Sequence, residues 1–99
     1  MKTNKLFILV SKDIPLEDKA VQAIHVACQY LLDNKDTQTW NNQTVVYLEA
    51  DIDAWCIKLD IKGELYTIFK EPDLDYKITA LACQTDRHNI FSKLNLMGS

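Results

Sequence analysis

The segment Lys5-Leu6-Phe7-Ile8-Leu9-Val10 constrains this chain most. A continuous apolar run bounded by polar residues is the pattern of a β-strand covered on both faces. Such a strand sits centrally in a sheet and requires packing material on two sides. A chain of 99 residues supplies that for one core only, because two halves would each bury too little apolar surface. A single domain over residues 1–97 is therefore expected, with Gly98-Ser99 read as a cloning remnant. The composition agrees: 47% hydrophobic, 25% charged, two glycines and two prolines describe a chain that folds compactly.

Asp13-Ile14-Pro15 follows the first strand and offers a capping residue and a proline suited to a first helical turn. Helical periodicity runs from Leu16 to Leu32, with Val21, Ile24, Cys28 and Leu31 at three- and four-residue spacing, flanked by Ala20, Ala27 and Leu32. That face is expected to lie on the sheet. Asp33 to Asn42 reads as an exposed connection with one aromatic anchor, Trp40. Thr44–Leu48 is the second strand, rich in β-branched and aromatic residues. Ala50–Ile61 is a second helix with Ile52, Trp55, Cys56 and Leu59 on one face, closed by Lys62-Gly63. Leu65–Phe69 and Ile78–Cys83 are the third and fourth strands, separated by an acidic loop at Glu71-Pro72-Asp73-Leu74-Asp75. A last short helix is expected over Arg87–Lys93, delivering Leu94 and Leu96 as a final packing segment. The fold class is thus α/β, a small mixed four-stranded sheet sandwiched by helices in the order β-α-β-α-β-β-α.

Asp18, Gln22, His25 and Gln29 fall within about 40° to 60° of one another on the first helix, beside its apolar face. A histidine so placed can be held in one tautomer by a neighbouring amide or carboxylate and can exchange a proton near neutral pH. The alternative is a histidine that packs at the helix edge and bonds to backbone. Glu71-Pro72-Asp73 stands where the third strand ends, and α/β sheets bind ligands at their carboxyl edge; an ordinary acidic turn is the alternative there. His88 has no partner in sequence and is expected to be exposed. Ser11 and Thr79 have no nucleophile-elbow context, no phosphate-binding glycine loop exists, and two histidines without spaced partners build no metal site.

Cys28, Cys56 and Cys83 lie far apart, so buried thiols of a cytoplasmic protein are expected, without disulfides or a zinc knuckle. A net charge of −3, with Arg87 as the sole arginine, argues against affinity built on broad phosphate contact. No apolar run approaches the roughly 18 residues of a membrane span, and the run after Met1–Lys5 is too short for a secretory signal.

The chain resembles the type 2 peptidyl-tRNA hydrolase family. The residues that carry the likeness are Leu6–Val10, Lys12-Asp13-Ile14-Pro15-Leu16, the helix motif Ala20-Val21-Gln22-Ala23-Ile24-His25, the strand Thr79–Ala82, and Phe91-Ser92-Lys93-Leu94-Asn95-Leu96. The resemblance implies a four-stranded mixed sheet between helices, frequently dimeric, that hydrolyses the ester joining a peptide to the tRNA 3′ end. Two departures stand out. The family carries a lysine four residues before the glutamine, where this chain has Asp18; Lys19 is rotated by about 100° from that position. The family's Asp-Ala-Gly-Arg-Thr-Gln segment is replaced by Glu71-Pro72-Asp73-Leu74, in which Glu71 stands in for the aspartate. The pattern is that of a short branch found among small bacterial and phage proteins.

Three functions follow as expectations. In the first, His25, Gln22 and Glu71 are catalytic and direct water onto the ester of a peptidyl- or acyl-tRNA, with Lys12, Asp13, Lys19, Asp73 and Thr79 contacting the ligand. Loss of the family lysine makes that activity weak. In the second, the same cleft holds a tRNA end or a small nucleotide without turnover, as in a phage protein sequestering a host nucleotide signal. In the third, the chain is an interface protein, a homodimer for instance, with exposed Trp40 and Tyr30 as anchors. No cofactor, metal or membrane partner is expected.

Overall fold

The computed structural model describes residues 5–37, 39–40, 44–85 and 88–94. Its elements are β1 (Lys5–Ser11), α1 (Leu16–Asp33), β2 (Thr44–Ala50), α2 (Ile52–Lys62), β3 (Thr67–Glu71) and β4 (Lys77–Thr85), with 3-10 turns at Pro72–Leu74 and His88–Phe91. The strands form one mixed sheet in the order β2-β1-β4-β3. β1 runs parallel to β2 and antiparallel to β4, and β4 runs antiparallel to β3. The small α/β fold with a four-stranded mixed sheet is therefore observed, and the expected last helix is a 3-10 turn. Arg87, Leu96 and Gly98-Ser99, named in the sequence reading, lie outside the described residues, as does the side chain of His88. No described helix is long and apolar enough to cross a membrane.

β1 is buried along Leu6–Ser11, as a two-sided strand must be. Its alternation divides the core. Leu6, Ile8 and Val10 join Ala80 and Ala82 of β4 against Val26 and Tyr30 of α1. Phe7 and Leu9 join Leu81 and Cys83 against Trp55 and Leu59 of α2, with the Phe91 ring packed at a tilt against both Phe7 and Trp55. One helix thus covers each face of the sheet.

α2 forms where its caps dictate. Asp51 accepts from the backbone N–H of Ala54, and Gly63 closes the helix in the left-handed region at φ 71°. α1 is different at both ends: Pro15 precedes it with no side-chain cap, so Asp13 is not the capping residue.

The buried face of α1 also differs from the expectation. Lys19, Gln22, Val26 and Tyr30 lie on the sheet, while Val21, Ile24, Leu31 and Leu32 are exposed, as is Cys28. The apolar spacing is present, but it points away from the core. Only Cys83 of the three thiols is buried. Trp40 and Tyr30 are both buried, which removes them as exposed anchors: the Trp40 indole donates to the Thr44 carbonyl at 2.7 Å, and the Tyr30 hydroxyl bonds Gln84. Each aromatic fills the core with its body and satisfies its polar tip locally.

Candidate functional site

Because β3 and β2 run parallel to β1, the carboxyl ends of all three strands reach one edge of the sheet, where α1 begins. This is the edge at which open α/β sheets receive ligands. α1 lies along the edge strand β3, whose alternate residues meet it in turn. Thr67 accepts from Asn34, Phe69 carries His25, and Glu71 accepts from Gln22.

Gln22 is the centre of the site. Its amide nitrogen donates to Glu71 Oε2 at 2.7 Å, and its carbonyl accepts from Thr79 Oγ1 at 2.6 Å. Thr79 is fully buried, and its position has a backbone cause. Phe69 pairs with Ala80 and Lys70 with Ile78, so Thr79 is the unpaired residue of a β-bulge. A bulge re-aims a side chain, and here it turns the hydroxyl toward α1, where it fixes which way the Gln22 amide faces. Thr79 therefore acts on Gln22 and does not face the open cleft.

Glu71 also accepts at Oε1 from the backbone N–H of Asp73. Hydrogen bonding by Gln22 and then by that N–H holds the carboxyl below its ordinary range; desolvation opposes them, and the charge of nearby His25 adds to them. The result is an ionised carboxylate of fixed orientation. The His25 ring stacks on Phe69 with centroids 4.5 Å apart and planes 3° from parallel. Stacking occupies a ring face and leaves the nitrogens at the rim, and neither has a hydrogen-bond partner among the described residues.

Beside these groups lies a cleft of about 220 Å³ lined by Ile14, Asp18, Val21, Gln22, Glu71 and Asp73, together with Leu74. Among the described residues its lining holds three carboxylates and no Lys, Arg or His. The cleft is thus negative, which disfavours phosphate within it. Lys19, expected at the ligand, is buried and bonded to Glu49 of β2 at 2.9 Å. It neutralises that strand end. Lys12 and Asp13 are exposed in the turn after β1 and do not line the cleft. The structure therefore brings together Gln22, Glu71, Thr79, Asp73 and His25, and sets Lys19, Lys12 and Asp13 apart.

Sequence reasoning missed Asp18 as a lining group, Phe69 as the support of His25, and Glu49 as the partner of Lys19. Strand alternation from Thr67 through Phe69 to Glu71 is the signal that would have found Phe69. A second cavity of about 270 Å³, lined by uncharged residues including Tyr30, Asn34, Thr67 and Gln84, lies further along α1, where its polar groups bond one another. Among the described residues no cluster of His, Cys, Asp or Glu is arranged to hold a metal ion.

No family model matches the sequence, and no curated protein matches it. Among solved structures the chain is similar to a protein of unknown function, Atu0240, from Agrobacterium tumefaciens strain C58, with a TM-score of 0.69 and 10% sequence identity. The likeness covers 97% of this chain and 98% of that one, so the two share a fold over their whole length.

Proposed function

We propose that the chain is a weak ester hydrolase of the peptidyl-tRNA type, with His25 as general base. The observation that carries this reading is the Glu71 carboxylate, locked by Gln22 and the Asp73 N–H and kept ionised beside a histidine with open ring nitrogens. In the reaction a ring nitrogen of His25 takes a proton from water as the oxygen attacks the ester carbonyl. The resulting imidazolium is stabilised by the Glu71 charge, and it returns the proton to the departing 3′ oxygen as the tetrahedral intermediate collapses. Gln22 is a positioning residue: it aims the carboxylate and does not meet the substrate.

On this reading the same geometry makes the expected activity low. With Lys19 committed to Glu49, no cation among the described residues lines the cleft to meet the developing oxyanion. Loss of one such electrostatic group costs on the order of 10²- to 10³-fold in rate. The test is release of N-acetylaminoacyl groups from charged tRNA. His25→Ala is expected to abolish release while leaving the circular-dichroism spectrum unchanged, since the ring is exposed. Equal rates for the two proteins would refute the enzyme reading.

A second reading, a non-catalytic nucleotide or tRNA-end binder, is favoured by the His25–Phe69 pair. An exposed aromatic face is a platform on which a base stacks. Thermal shifts that appear with nucleotides and vanish in Phe69→Ala, without turnover, would favour it over hydrolysis.

A further inference from the structure

The cavity at the far end of α1 shares no lining residue with the cleft at Glu71. Thr67 and Glu71 stand at opposite ends of β3, which sets the two hollows about 13 Å apart along the strand. The cavity measures about 270 Å³ and is walled by Tyr30 and Asn34 at the end of α1, Thr67 of β3 and Gln84 of β4, with Leu65 and Tyr66 beside them. None of its described lining residues is charged.

The hydrogen bonds within this wall leave both donors and acceptors open. Asn34 gives its amide nitrogen to the Tyr30 carbonyl at 2.9 Å and to Thr67 Oγ1 at 3.4 Å. A backbone carbonyl only accepts, so the nitrogen end is fixed there, and Asn34 Oδ1 has no partner among the described residues. Thr67 is 8% exposed; its oxygen accepts from Asn34, while its own proton has no acceptor among the described residues. The Tyr30 hydroxyl donates to Gln84 Oε1, which leaves the phenol oxygen able to accept. Gln84 gives one amide proton to Thr39 Oγ1 at 2.8 Å and keeps the other. Donors on Thr67 and Gln84 and acceptors on Asn34 and Tyr30 therefore remain in an uncharged hollow.

From this inventory we infer that the cavity binds a small neutral molecule through a primary carboxamide. Such a group sets two N–H donors and a carbonyl acceptor in one plane, so it engages both kinds of open group at once. A carboxylate only accepts and an ammonium only donates, and either would bring a charge that no described lining residue balances. A sugar is neutral, but each hydroxyl it buries calls for an acceptor and for donors of its own, more than this wall supplies. The Tyr66 ring offers a flat apolar side. Its hydroxyl donates to Asp60 Oδ1 at 2.9 Å, a residue that does not line the cavity, and that bond holds the ring in place. The site is independent of the hydrolase reading, since none of its residues belongs to the group formed by Gln22, His25 and Glu71.

Titration of the full chain followed by two-dimensional amide NMR tests it. Nicotinamide and propionamide serve as ring-borne and aliphatic carboxamides, with nicotinate and glucose beside them. Nicotinamide at up to about 10 mM, enough to fill a millimolar site, is expected to shift the signals of Asn34, Thr67 and Gln84 and to raise the melting temperature, because it ties three elements together. Nicotinate is expected to bind about tenfold more weakly or worse, since it sets acceptors against Asn34 Oδ1 and the Tyr30 oxygen. Thr67→Val keeps the β-branched shape and removes the O–H; it should weaken binding about fivefold, and Thr67→Ser should restore it. A response to nicotinamide with none to propionamide assigns part of the recognition to the Tyr66 ring, and equal responses assign it to the amide alone; both support the site. No shift at these residues with either carboxamide, equal binding of nicotinate, tighter binding of glucose, or a Thr67→Val variant that binds as wild type does would each overturn the proposal.

Discussion

The side-chain amide of Gln22 spans the gap between helix and sheet, with Glu71 at 2.7 Å on one side and the buried Thr79 hydroxyl at 2.6 Å on the other. Removing it strands both. In Gln22→Leu the Thr79 hydroxyl loses its acceptor, and an unsatisfied buried group costs about 1–3 kcal/mol. Urea unfolding should show that loss. On the hydrolase reading kcat falls as well, with its pH profile displaced, because Glu71 is no longer held in its ionised orientation.

Glu71 carries a pH signature. Its carboxyl is depressed in the fold, chiefly by the Gln22 hydrogen bond, so the linked stability is present above the ordinary carboxylate range and is lost as pH falls through the lowered value. Glu71→Gln lacks this dependence. Melting temperatures at pH 7, 5 and 3 should therefore converge between wild type and variant as the pH drops. On the hydrolase reading, ester release by the variant falls about 10²-fold at pH 7.

The three thiols differ in reach. Cys28 is exposed on α1, Cys56 is half-buried, and Cys83 is fully buried in β4, its thiol pushed up to about 12 by desolvation and then by the Glu64 charge. The thiolate is the reactive form. Titration with Ellman's reagent at pH 8 should modify Cys28 at once and Cys83 only on unfolding. Cys28→Ser should remove the fast phase.

The turn into β4 is strained near the site. Asp75 and Tyr76 are consecutive non-glycine residues at positive φ, 54° and 60°, two and three positions beyond Asp73. A left-handed conformation costs a side-chain-bearing residue roughly 1–2 kcal/mol. Tyr76→Gly is expected to raise stability by up to about 1 kcal/mol after the unfolded-state entropy of glycine is counted. Gly63→Ala, at φ 71° with open space around it, should lower stability by about 1 kcal/mol from backbone strain alone. Paired urea titrations give both signs.

The apolar run of β1, the Gly63 stop of α2 and the acidic loop after β3 were legible in the sequence, because each is a local pattern whose physics needs few neighbours; the start of α2 was not, since the expected helix began at Ala50, which ends β2, and Asp51 is its cap. Ile52, Trp55 and Leu59 turn inward as their spacing requires. The rotation of α1 was not legible. Periodicity identifies apolar residues that share a side of a helix; it does not say which of two such sides meets the sheet. The short turn Lys12–Pro15 sets the helix phase, and Glu49 and Glu71 at the strand ends accept Lys19 and Gln22, making a face with two polar residues the buried one.

The site divides along the same line. The residue types at Gln22, His25 and Glu71 could be picked out from the chain alone, because amide, imidazole and carboxylate chemistry belongs to the side chain. Their arrangement belongs to contacts 49 and 57 residues apart, and to a bulge at Thr79 that appears only when β3 and β4 pair. Local sequence determined the elements and the available chemistry. Tertiary packing decided which groups meet, because hydrogen bonds between distant segments form only after the sheet has brought their backbones into register.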